Sequence, residues 1–175
     1  MSGWIDAVVA FVQAHGVWAA PIAGALAFTE GLAFVALAVP GMTILFGIGA
    51  LVGASEIPFV PVWLGIGIGA ALGHWVSYAI GFRLKDGATR IGPLRRHPEI
   101  MARAARFFAR WGVMSVVLCR FVGPLRATVP LLCGVFEMGF WPFQIANWLS
   151  AFVWAGLTLA PGSLLVGWLG TSWLG

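Results

Sequence analysis

Apolar residues run along this chain in long continuous blocks, without the strict alternation of a half-buried strand. The first block extends from about Val17 to Ala54 and contains one charged residue, Glu30. As a straight helix, about 38 residues at ~1.5 Å each would be nearly twice the ~30 Å hydrocarbon thickness of a bilayer. The block must therefore turn. Pro40-Gly41 is the predicted breaking point, because proline removes a backbone donor and glycine permits a sharp change of direction. The predicted element is a hairpin that dips into the membrane and returns. A second block, from Pro61 to Ile80, has the length of one full crossing, and Gly65, Gly67, Gly69 and Gly73 give it the small-x-x-x-small spacing that lets helices approach closely. After a polar connector the order recurs from Trp111, with Gly123-Pro124 and Pro130 as the corresponding breakers.

The recurrence has a fixed offset. Arg120 precedes Pro130 by the spacing that separates Glu30 from Pro40, and Ala38-Val39-Pro40 is answered by Thr128-Val129-Pro130. Val62-Trp63-Leu64-Gly65 is echoed in the same order by Val153-Trp154-Ala155-Gly156. If each half makes an odd number of crossings, the halves are inverted in the membrane, as in many secondary transporters. The expected fold is an all-α membrane protein: an inverted repeat of a re-entrant helical hairpin plus a transmembrane helix, forming one domain over residues 1–175. Its first half spans about 15–82, its connector 83–110 and its second half about 111–172.

Composition narrows the picture. With 61% hydrophobic residues, 9% charged residues and a mean hydropathy of +0.96, the chain lacks the polar surface of a water-soluble domain. Two cysteines rule out a disulfide scaffold. The first segment carries Asp6, Gln13 and His15 and no basic residue, so it is not read as a cleaved signal peptide. Eight of the ten basic residues fall between Arg83 and Arg110, which predicts a cytoplasmic connector beside anionic head groups. From Glu99 to Trp111, Ile100, Ala104, Phe107, Phe108 and Trp111 share one helical face, and Arg103, Arg106 and Arg110 lie opposite. This is the pattern of an amphipathic interfacial helix. Between two such apolar blocks the basic run argues for no nucleic-acid partner.

Glu30, Arg120 and Arg126 are the ionisable residues inside the apolar blocks, where an arginine costs about 2.5–3.5 kcal/mol on insertion scales. A turn at Gly123-Pro124 would let the two guanidiniums converge, and convergent arginines suit a phosphate or carboxylate. Glu30 can instead serve structurally by neutralising one arginine, yet two arginines against one glutamate leave a positive charge over. Glu30 is also the candidate for proton coupling. His74 and Asn147 are secondary candidates; for His74 the plainer role is a packed, hydrogen-bonded side chain, since no second metal ligand stands at helical spacing. Cys119 and Cys133 read as buried reduced thiols. Nucleotide-binding, metalloprotease and serine-hydrolase motifs are absent from the sequence, and no nucleophile and base pair accompanies the arginines. Neither enzymatic activity nor a metal or cofactor is expected.

Several of these residues carry a resemblance. Glu30 with Val39-Pro40-Gly41, Gly69-Ala70-Ala71-Leu72-Gly73-His74-Trp75-Val76-Ser77-Tyr78, Arg120-Phe121-Val122-Gly123-Pro124-Leu125-Arg126 followed by Pro130 and Gly134, and Phe143 with Asn147 together resemble the DedA family, also called VTT or SNARE-associated-domain proteins. The resemblance spans roughly Phe28 to Trp154. It implies a multi-pass bacterial inner-membrane protein with two facing re-entrant hairpins that translocates lipids as a flippase or scramblase. The implied substrate is undecaprenyl phosphate, another polyprenyl phosphate, or phospholipid. It assigns Glu30, Arg120 and Arg126 to the substrate site and adds Tyr78 to the secondary candidates. A homo-oligomer is compatible with this picture. Two positions depart from the family pattern: Met42-Thr43 follows Pro40-Gly41 where relatives often carry an acidic residue, and His74 stands where an Asp is frequent. The alternative function is a proton- or ion-coupled transporter of a small anion, and a non-transporting scaffold would tolerate replacement of both arginines.

Overall fold

The computed structural model describes residues 16–32, 41–54, 57–85, 106–108, 110–121 and 125–172. Of these, 91% are helical and none lies in a strand. Among the described residues, and apart from a short helical stretch in the connector, six helices follow in order: α1 (Gly16–Gly31), α2 (Gly41–Ala54), α3 (Phe59–Leu84), α4 (Met114–Arg120), α5 (Leu125–Val135) and α6 (Phe140–Ser172). The first apolar block does break, into α1 and α2. Gly41 opens α2, whereas Pro40 lies outside the described residues, as do Gly123 and Pro124. In the connector, residues 106–108, 110 and 111 are helical, with Phe108 buried and Arg106 and Arg110 exposed. The rest of the expected amphipathic helix, from Glu99 to Ala105, lies outside the described residues.

Helix α3 is longer than the predicted crossing at both ends. Pro58 and Pro61 precede or occupy its first turn, where a missing N–H costs nothing, and the helix stops when Lys85 adopts φ 38° and its N–H turns back to the Gly81 carbonyl. One sequence expectation is corrected here: Pro130 is not a breaker. Helix α5 continues through it to Val135, and Pro130 is fully buried. It is the sixth residue of the helix, so the one bond forfeited is that to the carbonyl four residues back, in the first turn. Gly112, at φ +50°, separates the connector helix from α4 in a left-handed conformation that a side chain disfavours.

Helices α3 and α6 are the two long and apolar enough to cross a membrane among the described residues, the latter over Phe140–Pro161. Their outer faces are apolar at helical spacing: Val60, Leu64, Ile68, Val76 and Ile80 on α3, and Trp141, Ile145, Leu149, Val153 and Leu157 on α6, are all exposed. Stripes of this size would be untenable in water and are suited to lipid. Helix α1 packs on α3, α2 on α6, α5 on α3, and α4 against both α5 and α6. The α1–α3 contact is made through small residues. A β-carbon on Gly65, Gly69 or Gly73 would run into the carbonyls of Ala20, Gly24 and Phe28 respectively, so both helices mesh at a four-residue repeat.

The interior falls into two apolar clusters with a polar layer between them. One gathers Ala23, Ala27, Leu45, Ile66, Ala71, Trp154 and Leu159; the other gathers Tyr78, Cys119, Leu132, Cys133, Phe143 and Ala146. On α3 the change from one to the other takes place between Ala71 and Tyr78, and on α6 between Ala146 and Ala151. His74 and Asn147 occupy those gaps, and both are buried.

Candidate functional site

The charged residues reach this polar layer from helix ends. Glu30 is the penultimate residue of α1, Arg120 the last of α4, and Arg126 the second of α5. Helix ends suit this role, since the side chain leaves the helix where backbone groups are already unpaired and polar. Glu30 and Arg120 are each 3% exposed. Both arginines reach the same place: Glu30, His74, Arg120, Arg126 and Trp154, with Ala27, Gly31 and Ala70, line one small cavity. That cavity leaves ≈ 10 Å³ for the centre of a water molecule, which is room for about one water.

The two arginines are held differently. Arg126 Nη2 lies 2.8 Å from Glu30 Oε2, and its guanidinium sits 5.5 Å from the centre of the Trp154 ring, in cation–π range. The ion pair is close without hydrogen-bond alignment: both Glu30 oxygens, Arg126 Nη1 and Arg120 Nε are buried and lack a hydrogen-bond partner among the described residues. Arg120 is held by neutral groups. Its Nη2 is 2.6 Å from His74 Nδ1 and donates to Asn147 Oδ1 at 2.7 Å. Asn147 is fixed in turn, because its Nδ2 donates to the Ala71 carbonyl at 2.9 Å and approaches Gln144 Oε1 at 3.4 Å.

The secondary candidates divide. His74 and Asn147 join the cluster. Tyr78 does not: its hydroxyl donates to the Met138 carbonyl at 2.6 Å and its ring stacks on Phe143, so it belongs to the apolar cluster beyond the polar layer. Ser77, one turn from His74, donates to the Gly31 carbonyl at 2.8 Å and ties α3 to the end of α1 beside Glu30. Sequence reasoning passed over Gln144 and Trp154 as site residues. The signal was present, since positions 144, 147 and 154 share a face of α6 at helical spacing. Cys119 and Cys133 are free thiols and buried, as expected. Among the described residues no group of three or more His, Cys, Asp or Glu is placed to hold a metal ion. A separate apolar groove of ≈ 490 Å³ lies on the first turns of α6, lined by Phe140, Trp141, Ile145, Trp148 and Leu149 with Gln144 on its wall, and Trp75 of α3 closes one side.

These residues fall within or beside a region of known type. The VTT domain matches residues 39–164, most of the chain. The chain belongs to the VTT domain, or DedA, family. Similar proteins include the Escherichia coli inner membrane proteins YabI, 31% identical over 79% of this chain and 55% of that protein, and YghB, 30% identical over 79% of this chain and 64% of that protein. A membrane protein of Buchnera aphidicola is 31% identical over 77% of this chain and 52% of its own length. The chain thus spans little more than half the length of several relatives it matches. No solved structure matches it. Membership in the VTT family and the lipid-suited stripes on α3 and α6 agree on a helical membrane protein.

Proposed function

We propose that this VTT protein is a lipid transporter of the flippase or scramblase type in a bacterial inner membrane, and that it translocates a lipid phosphate such as a polyprenyl phosphate or a phospholipid. One observation carries the reading: a buried arginine, Arg120, and a largely buried one, Arg126, line one cavity with a single carboxylate among the described residues, so excess positive charge and N–H donors without a described partner lie inside an apolar protein. Guanidiniums bind phosphate oxygens through paired hydrogen bonds. In this scheme Arg120 and Arg126 hold the head group. Glu30 balances Arg126 until the phosphate arrives and is the candidate for proton coupling. The hydrocarbon tail stays in lipid, against the apolar outer faces of α3 and α6.

The scheme places α1 and α2 in one re-entrant hairpin and α4 and α5 in a second, with the connector 83–110 in the cytoplasm. Its support is an exchange of partners between the halves, α2 packing on α6 and α5 on α3, together with the sequence recurrence.

The test is reconstitution of purified protein in liposomes, following transbilayer movement of labelled polyprenyl phosphate and of labelled phospholipid. Wild type is expected to accelerate at least one of them, and Arg120→Ala and Arg126→Ala to reduce that acceleration at least tenfold. A rate equal to that of protein-free vesicles would refute the proposal. Acceleration of every lipid alike would identify a scramblase. Uptake of inorganic phosphate without lipid movement would favour the small-anion transporter instead. A pH gradient that alters net movement in wild type but not in Glu30→Gln would assign the coupling to Glu30.

A further inference from the structure

The two arginines of the site differ in charge balance, and the difference is built by residues that sequence motifs do not pair with them. Arg126 faces a carboxylate, whereas the contacts on Arg120 come from an imidazole and a primary amide. We infer that His74 and Asn147 are positioning residues that clamp Arg120 by one nitrogen while leaving its charge intact, and that this makes Arg120 the arginine on which the phosphate of the transported lipid is held. The inference rests on the lipid-phosphate reading above and assigns the division of labour within it.

The orientation of each clamp residue follows from its own partners. Asn147 can present only its oxygen to Arg120, because its nitrogen is directed at the Ala71 carbonyl and Gln144 Oε1. His74 meets Arg120 through Nδ1, and guanidinium has no acceptor. Nδ1 must therefore be the unprotonated nitrogen, and the ring proton sits on Nε2. A charged imidazolium would have no lone pair to offer and would repel the arginine. Both acceptors meet the same Nη2, which also approaches the Asn147 backbone carbonyl at 3.4 Å, and Nε is buried with no partner among the described residues. The clamp thus fixes the plane of the guanidinium from one corner and neutralises nothing. Ala71 and His74 lie one turn apart on α3, and Gln144 and Asn147 one turn apart on α6, so the clamp registers the two long helices against the end of α4.

Thermal unfolding of the full chain in detergent, with farnesyl phosphate as probe and uncharged farnesol as control, tests the assignment. Wild type is expected to be stabilised by farnesyl phosphate with a defined half-saturation, and not by farnesol. In Asn147→Asp a carboxylate replaces the amide at nearly the same size and cancels the charge of Arg120. Its half-saturation should rise at least tenfold. His74→Asn retains an acceptor and should stay within about threefold of wild type, whereas His74→Leu should rise at least tenfold. If Asn147→Asp fails to fold, the His74 pair decides. Half-saturation within twofold of wild type in folded Asn147→Asp, or in His74→Leu, would overturn the clamp while leaving the lipid-phosphate site standing. If wild type and Arg120→Gln are alike indifferent to farnesyl phosphate, both the site and the clamp fall.

Discussion

At the scale of the residue, the informative contrast is between two ways of keeping a guanidinium inside an apolar protein. Arg126 is neutralised by Glu30, and Arg120 is stabilised by oriented dipoles. Removing one member of a buried pair leaves the other uncompensated, at a cost of about 3–5 kcal/mol, while removing both together is often nearly neutral. Glu30→Gln and Arg126→Gln are each expected to lower the unfolding midpoint in detergent by several degrees, and the double variant to recover most of the loss. A double variant as unstable as the sum of the singles would mean that the pair is not coupled. The scarcity of charge in the sequence made Glu30, Arg120 and Arg126 legible before any fold was known, since each is expensive in the bilayer. It did not indicate which arginine Glu30 meets. That choice depends on where α1 ends relative to α4 and α5, a tertiary matter that spacing along one chain does not encode.

At the scale of the element, the helices were legible in proportion to how much their own residues decide. Glycines at four-residue spacing announced a close approach on α3, and the approach is made with α1. Gly69→Leu is therefore expected to separate α1 from α3 and to abolish a monodisperse fold in size-exclusion chromatography. Gly47→Ala, at a position with open space around its Cα, should leave the elution profile unchanged. Pro130 shows the opposite case. A proline in an apolar stretch reads as a break when seen alone, but close to a helix start the N–H groups of the first turn have no intrahelical partner anyway, and Pro130, just beyond that turn, forfeits one bond to a first-turn carbonyl while the helix continues. Tyr78 was misleading for a related reason: its motif neighbours on α3 face the polar layer, and one further helical turn carries its hydroxyl to the Met138 carbonyl instead.

At the scale of the whole molecule, two apolar clusters sandwich one polar layer, and the arrangement makes the interior unevenly accessible. Cys119 and Cys133 lie in the cluster beyond the layer and are buried. Neither should react with a water-soluble maleimide in native membranes, and both should react after denaturation. Rapid native labelling of either would contradict this packing. The contact between Lys85 and Glu137, by contrast, joins two half-exposed side chains where α3 ends and α6 is about to begin. Exposed pairs contribute about 0.2–1 kcal/mol. A double-mutant cycle on Lys85→Ala and Glu137→Ala should return a coupling energy in that range.

The small size of the cavity between the arginines has a consequence for how tightly any ligand can be kept. A space for about one water is too small for a phosphate group, so on the lipid-phosphate proposal loading requires the cavity to widen beyond the form seen here. Apparent affinity is then the intrinsic affinity scaled by the fraction of molecules open: an opened form populated at about 1% weakens binding about a hundredfold. For the proposed lipid carrier this is useful: two arginines this shielded from water could otherwise hold a phosphate so firmly that turnover would stall, and a site that must widen to load favours unloading.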